Sequence, residues 1–81
     1  MSARAPRRRV FKGAKIAFNQ GASVVDCTVR NISVTGAALA VDSPVGIPER
    51  FALLIPGEVE HSCRIVWRRS DRLGVVFEQD G

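Results

Sequence analysis

The sequence contains no tyrosine, one histidine and one tryptophan among its 81 residues. A barrel that binds single-stranded nucleic acid needs several aromatic stacking residues on one face, so this composition disfavours that class. With His61 as the sole histidine and only two cysteines, the ligand spacing of a zinc site is absent. Clustered carboxylates, a nucleophile elbow and a phosphate-binding glycine loop are also missing, so we expect no catalytic activity.

Long apolar runs are missing as well. No stretch approaches the roughly 18 residues that a membrane helix requires. The N-terminus lacks the apolar region of a secretory signal, so we expect a cytoplasmic protein without a membrane span. An apolar fraction of 46% in 81 residues is enough for one compact core, and hence for one small domain.

The cysteine content is low. Cys27 and Cys63 are far apart in the sequence, and each alternates with apolar residues, Val25 and Val29 for Cys27 and Ile65 for Cys63. In a cytoplasmic chain this pattern indicates buried, reduced thiols, and a disulfide is the alternative.

Acidic residues are absent before Asp26, whereas half of the twelve basic residues precede residue 16. These basic residues are Arg4, Arg7, Arg8, Arg9, Lys12 and Lys15. The start of the chain is rich in Arg, Ala, Ser and Pro and lacks helical periodicity, so we expect residues 1–11 to form a flexible basic arm. Such an arm on a near-neutral body suggests an anionic partner, and a solvated tail is the other interpretation.

Period-two alternation dominates the rest of the chain, residues 12–81, which we assign to one β-domain. It predicts six strands, at about residues 14–19, 23–30, 37–42, 50–55, 59–68 and 73–77. Turn signals such as Asn19-Gln20-Gly21 and Pro56-Gly57 separate them. No segment has a sustained helical period. Six short antiparallel strands favour a barrel or a sandwich, and closing the sheet into a barrel removes exposed edges.

The same alternation predicts the core. Its expected members are Val25, Cys27, Val29, Leu39, Val41, Phe51, Leu53, Ile55, Cys63, Ile65, Val75 and Phe77. Trp67 falls on the same face as Cys63 and Ile65, so core packing is the default expectation for it. A position at the rim of a ligand site is the alternative for Trp67.

The alternation breaks at Asn31-Ile32-Ser33-Val34-Thr35-Gly36, which follows the basic cluster Arg7-Arg8-Arg9-Val10-Phe11-Lys12. Asn31 and Ser33 offer short hydrogen-bonding side chains, and Gly36 permits close backbone approach or positive φ. A polar turn combined with an arm of guanidinium groups suits a compact phosphate ligand. The same residue types also occur in turns that bind nothing, which is the competing interpretation.

The two motifs resemble those of the PilZ domain, a bacterial receptor for cyclic di-GMP. That family carries Arg-x-x-x-Arg and then Asp/Asn-x-Ser-x-x-Gly. Asn31, Ser33 and Gly36 match the second motif. In the first motif Arg8 occupies the first arginine position, but Lys12 stands where the second arginine should be. Segments 36–41, 63–67 and 73–77 are similar to PilZ strands, and the resemblance extends over roughly residues 7–78.

The resemblance implies a six-stranded antiparallel β-barrel that binds cyclic di-GMP without any further cofactor. It implies a ligand site formed by Arg7, Arg8, Arg9, Lys12, Asn31, Ser33 and Gly36. Arg8 would grip phosphate and stack on guanine, because a guanidinium plane can do both. An ammonium lacks that planar fork, so Lys12 weakens the match. The register Arg4-x-x-x-Arg8 restores two arginines and is the second-ranked alternative.

The function that the resemblance implies is that of a sensor. Ligand would recruit the arm onto the barrel, and the changed surface would act on an unidentified protein partner. Motility, biofilm formation and envelope polysaccharide synthesis are the processes that such modules control, and no nucleic-acid partner is expected. One alternative, motivated by Lys12, is a PilZ-like interaction module that does not bind the nucleotide. The other is the single-stranded nucleic-acid barrel.

Overall fold

A computed structural model describes residues 8–78 and shows the predicted all-β architecture. Every pair of neighbouring strands is antiparallel, and the sheet closes on itself in the order β1-β2-β3-β6-β5-β4. The strands are β1 (Arg8–Phe18), β2 (Ser23–Ile32), β3 (Gly36–Ala40), β4 (Arg50–Leu54), β5 (His61–Arg68) and β6 (Arg72–Glu78). The predicted six-stranded antiparallel barrel is therefore confirmed.

The first hairpin forms where Asn19-Gln20-Gly21 predicts it. All three residues have positive φ, at 53°, 57° and 87°, and the Gly21 amide donates to the Phe18 carbonyl at 3.1 Å. Asn tolerates this left-handed backbone and Gly adopts it freely, so the sequence suits a tight reversal. The turn sets β1 against β2 so that Phe18 lies opposite Ser23.

The barrel interior holds a single core made by the inward face of each strand. Ten of the twelve predicted core residues are buried, and Val25 and Phe77 are half-buried and packed against the others. The core also contains residues outside the predicted set, which are Ala14, Ile16, Ala37, Ile47 and Leu73. Cys27 and Cys63 belong to this core as free thiols, as predicted.

Several predicted strand boundaries differ from the observed ones, by two residues at the ends of β2 and β3 and by the most at the start of β1. β1 begins at Arg8 rather than near residue 14, so residues 8–11 of the expected arm belong to this strand, and Arg8 and Arg9 pair with β2. Residues 1–7 of that arm, which include Arg4 and Arg7, lie outside the described residues. Val59, the predicted start of the fifth strand, lies in the β4–β5 loop and is 75% exposed.

The core prediction for Trp67 was also wrong, and a β-bulge explains the error. Ile65 pairs with Val75 and Trp67 pairs with Gly74, so Val66 is an extra residue in β5. An extra residue inverts the alternation, and Trp67 therefore faces outward with 43% of its surface exposed. A similar bulge in β2 separates Val29 from Asn31, and one in β1 separates Arg9 from Lys12.

The junction that closes the barrel is short. β1 pairs with β4 only from Lys15 to Ala17, whereas its pairing with β2 extends from Arg8 to Phe18. Within residues 8–78 there is no helix with the length and apolar character that crossing a membrane requires.

Candidate functional site

The turn between β2 and β3 is organised by Ser33. The Ser33 amide donates to the Gly36 carbonyl at 2.8 Å, and the Ser33 hydroxyl accepts from the Thr35 amide at 3.2 Å. The Phe77 amide donates to the Thr35 carbonyl at 2.9 Å, which fixes the turn against β6. Ser33 thus has a structural role in the turn, and Ser/Thr turns of this type hold their neighbours in one arrangement.

Gly36 is required by close packing rather than by its backbone angle. The glycines with positive φ among the described residues are Gly21, Gly46 and Gly57. A Cβ atom at Gly36 would lie 2.2 Å from the carbonyl oxygen of Val75, so only glycine lets β3 approach β6 here. Of the two reasons that the sequence offered for Gly36, close backbone approach is the correct one.

Asn31 lies in a line of residues that crosses five adjacent strands. Arg9 pairs with Asn31, Asn31 with Ala38, Ala38 with Gly74, and Gly74 with Trp67. Directly paired residues project from the same face of a sheet, so these five residues form one row on the outside of the barrel, the outer row. Small residues in the centre of the row and larger ones at its ends create a shallow cavity of about 260 Å³, which we call the outer cavity.

Trp67 forms the wall at one end of this cavity. A Cβ atom at Gly74 would lie 2.1 Å from the indole ring, so the ring covers Gly74. The guanidinium carbon of Arg69 lies 5.5 Å from the ring centroid, which is the geometry of a cation–π contact. The sequence signal for this position was Gly74 itself, because a glycine inside a strand marks close approach by another group.

Arg8 and Lys12 lie at the end of the barrel rather than in the outer row. Arg8 pairs with Ile32, next to the pair formed by Arg9 and Asn31. Successive residues of a strand face opposite sides, so Arg8 and Arg9 diverge. The Lys12 ammonium lies 3.5 Å from a carboxylate oxygen of Glu58, and Arg8, Lys12 and Glu58 line one cavity.

Beside that cavity is a larger groove, of about 690 Å³, which we call the end groove. It is lined by Arg8, Ile32, Ser33, Glu58, His61 and Phe77, among others. The His61 and Phe77 rings are stacked, with 4.3 Å between their centroids. The seven predicted site residues are therefore divided. Arg8, Lys12 and Ser33 line cavities at the barrel end, Asn31 and Gly36 line the outer cavity, and Arg9 extends the outer row. Arg7 is outside the described residues.

Two arginines of β5, Arg64 and Arg68, have different partners. Arg64 and Arg50 both donate to Glu78, at 3.2 and 3.1 Å, whereas Arg68 donates to the Pro44 carbonyl at 3.2 Å. Desolvation raises the pKa of the Glu78 carboxyl, but the hydrogen bonds from Arg50 and Arg64 outweigh it and hold that pKa below its usual range. In the part of the chain that the structure describes, no three His, Cys, Asp or Glu side chains converge to hold a metal ion.

Comparison with known proteins decides the family. A family model described as "PilZ domain" matches residues 3–81. The chain belongs to the PilZ domain family. Among solved structures it is similar to the PilZ domain of CeSA from a cellulose-synthesizing bacterium, with a TM-score of 0.72 and 18% identity. That alignment covers 95% of this chain and 84% of the other. No curated protein matches the chain in sequence.

Membership of the PilZ family indicates the general class of function to which the motif residues belong. PilZ domains are receptor modules for cyclic di-GMP rather than enzymes. The PilZ motif Asp/Asn-x-Ser-x-x-Gly is complete in this chain as Asn31, Ser33 and Gly36, and it forms the turn that leads into the outer row.

Proposed function

We propose that this PilZ domain binds cyclic di-GMP on the outside of the barrel, at the outer row and the adjoining β2–β3 turn. The observation that carries the proposal is the arrangement of Asn31, Gly36 and Trp67 around one cavity. Asn31 supplies hydrogen-bonding groups, and Gly36, which has no side chain, leaves its part of the cavity open. Trp67 supplies an aromatic face, so a polar contact and a stacking surface lie side by side.

The dimensions of the outer row suit a dinucleotide. Neighbouring strands lie about 4.8 Å apart, so Asn31 on β2 and Trp67 on β5 are separated by about 14 Å across the sheet. A guanine base would stack against Trp67, which Arg69 already holds by its cation–π contact. The ring lies over Gly74, so the open part of the row is above Ala38, whose small side chain leaves room between Asn31 and the indole for a sugar or a phosphate.

Basic residues at the start of β1 would supply the phosphate contacts. Arg9 adjoins Asn31 in the outer row, and Arg8 and Lys12 lie around the turn at the barrel end. Arg8 and Arg9 can each hold a phosphate with two parallel hydrogen bonds, whereas Lys12 provides only a point charge. The loss of one bidentate contact would weaken binding by about 5- to 150-fold.

The proposed role is that of an adaptor. Ligand bound at the outer row would draw the basic segment of β1 across the turn and change the surface that a protein partner contacts. Control of motility, biofilm formation or envelope polysaccharide synthesis is the proposed setting. Two free, buried thiols are consistent with the cytoplasm as its location.

The second candidate is a PilZ interaction module that does not bind the nucleotide. The Lys12–Glu58 ion pair favours it, because the residue at the second arginine position already has an anionic partner within the chain. A partner protein would then recognise the barrel surface directly.

One titration separates the two functions. Cyclic di-GMP is titrated into the purified protein by calorimetry, with GTP and linear pGpG as controls. Saturable heat with cyclic di-GMP, and much weaker heat with either control, is the result expected of a receptor. Because Trp67 is the sole tryptophan, its fluorescence should change during the same titration. If cyclic di-GMP produces no heat and no fluorescence change, the receptor function is refuted and the interaction-module function becomes the leading candidate.

A further inference from the structure

Glu58 is held at the barrel end by a rigid turn. Ile55, Pro56, Gly57 and Glu58 form a reversal in which Gly57 has a φ of 82° and the Glu58 amide donates to the Ile55 carbonyl at 3.0 Å. Proline at the second position and a positive-φ glycine at the third are the residues of a type II turn. The position of Glu58 relative to β1 is therefore set by this turn.

This turn places the Glu58 carboxylate between two cationic or potentially cationic groups. One carboxylate oxygen lies 3.5 Å from the Lys12 ammonium, and the other lies 3.7 Å from Nε2 of His61. The His61 Nε2 atom is buried and makes no hydrogen bond. Glu58 also lines both cavities that Arg8 lines. The carboxylate therefore lies among the basic side chains to which we assign phosphate binding.

We propose that the Glu58 carboxylate competes with the anionic ligand for Lys12. In the free protein it forms an ion pair with the Lys12 ammonium, and this pairing lowers the affinity of the site for phosphate. The inference rests on the proposed function, since it concerns the same cationic residues. A phosphate that approaches Lys12 must displace the carboxylate or accept its repulsion. Both effects weaken binding of an anion, and both depend on the single charge of Glu58.

The expected size of the effect follows from exposure. The Lys12 and Glu58 side chains are 49% and 37% exposed, so the pair belongs to the weak class of surface ion pairs. Releasing Lys12 from Glu58 should therefore tighten anion binding by about two- to five-fold at low ionic strength. Salt should diminish that gain, because exposed charges are screened.

The test compares Glu58→Gln with a variant that also removes one negative charge but at a different site. Asp26→Asn is the matched control: Asp26 is also an exposed carboxylate, and it is paired with another lysine of β1, Lys15. Lys12→Met, alone and combined with Glu58→Gln, removes the ammonium while keeping its apolar stem. Each protein is titrated by calorimetry with cyclic di-GMP and, separately, with inorganic pyrophosphate, at low and at high salt.

The expected result has three parts. Glu58→Gln binds both anions about two- to five-fold more tightly than the unmodified protein, Asp26→Asn does not, and the gain disappears in the Lys12→Met background. The inference is overturned if Glu58→Gln gains nothing with either anion, or if its gain persists without Lys12. A gain with pyrophosphate but no binding of cyclic di-GMP by any variant would refute the proposed receptor function and leave the role of Glu58 standing. If the unmodified protein binds cyclic di-GMP but Glu58→Gln binds no more tightly, the receptor function stands and the role of Glu58 is refuted.

Discussion

The indole ring of Trp67 lies over Gly74, filling the space that a Cβ atom would occupy 2.1 Å from the ring. Both residues face outward, since the bulge at Val66 pairs Trp67 with the glycine. The absence of a side chain at Gly74 thus determines how closely the Trp67 ring approaches the sheet, and this distance shapes the outer cavity. A half-exposed aromatic ring held in this way is available to a planar ligand.

Gly74→Ala should displace the ring while leaving the fold nearly intact. The atoms that the new methyl group meets belong to a half-exposed side chain, which can move outward, rather than to the backbone. We expect a small change in melting temperature, a red shift in Trp67 fluorescence as the ring enters water, and a loss of affinity for cyclic di-GMP. Trp67→Ala is the companion variant. If it binds as well as the unmodified protein, Trp67 does not contact the ligand.

Arg8→Ala should lower affinity for cyclic di-GMP by about tenfold or more and leave the melting temperature nearly unchanged. Arg8 is exposed, and the core does not depend on it. Arg9→Ala tests the geometry, because Arg9 rather than Arg8 is the neighbour of Asn31 in the outer row. A larger loss for Arg9→Ala than for Arg8→Ala would identify Arg9 as the main phosphate contact. Parallel loss of folding and binding would instead make Arg8 a structural residue.

Lys12→Arg should tighten ligand binding if Lys12 stands at the second arginine position. The substitution replaces a point charge with a planar fork that can form two hydrogen bonds with one phosphate. Affinity is measured by calorimetry beside the unmodified protein. If Arg4 and Arg8 form the pair instead, Lys12→Arg should be neutral and Arg4→Ala should weaken binding.

Gly36→Ala should destabilise the barrel by about 2–3 kcal/mol, because the new methyl group would meet the Val75 carbonyl oxygen of the adjacent strand. In a domain of this size each kcal/mol lowers the melting temperature by about 4–8 °C. Gly13→Ala is the matched control. Nothing lies within 4 Å of a Cβ atom at Gly13 and its φ is not positive, so thermal denaturation should show no loss of stability. Equal effects for the two variants would contradict this account of Gly36.

The two thiols should be inert at neutral pH. Burial, reinforced by the charge of Asp26, raises the pKa of the Cys27 thiol to about 11, and burial raises the pKa of the Cys63 thiol to about 12. The thiolate is the reactive form, so a thiol reagent should label both cysteines only after denaturation. Rapid labelling of the native protein near neutral pH would show that the barrel opens at Cys27 or Cys63.

The same pKa values predict a loss of stability in alkali. Thiols of the unfolded chain ionise near their ordinary pKa of 9.0, whereas those in the folded barrel stay protonated to about 11 and 12. The unfolded chain therefore binds fewer protons within that range, and the free energy of unfolding should fall as the pH rises above 9. Replacing both cysteines with alanine should flatten this part of the pH profile measured by denaturant unfolding.

The fold could be predicted from the sequence wherever alternation was unbroken. Cys27 and Val29, or Leu39 and Val41, lie where period two places them. Trp67 was misassigned because a bulge has no strong sequence signal, and one extra residue reverses every later side chain of the strand. The start of β1 was missed for a different reason. Residues 8–11 have the composition of a flexible arm, and only pairing with Asn31 and Ile32 makes them a strand.

The candidate site was predictable in its motif but not in its arrangement. Asn31, Ser33 and Gly36 could be identified from their spacing; Ser33 and Gly36 form one turn, which follows Asn31 at the end of β2. The divergence of Arg8 and Arg9 required the register of β1 on β2, which short-range sequence patterns do not specify. Glu58 escaped the sequence analysis because its proximity to Lys12 arises from closure of the barrel.

The short β1–β4 junction has a consequence for how binding and folding energies are connected. Hydrogen bonding between β1 and β4 begins at Lys15, so the first part of β1, with Arg8, Arg9 and Lys12, overhangs the closed ring of strands. Separation of this overhang from β2 would leave the ring of strands closed, so it should require less free energy than opening of the whole barrel. Movement of the basic residues towards an anion would therefore disturb only the edge of the core, where Val10 packs.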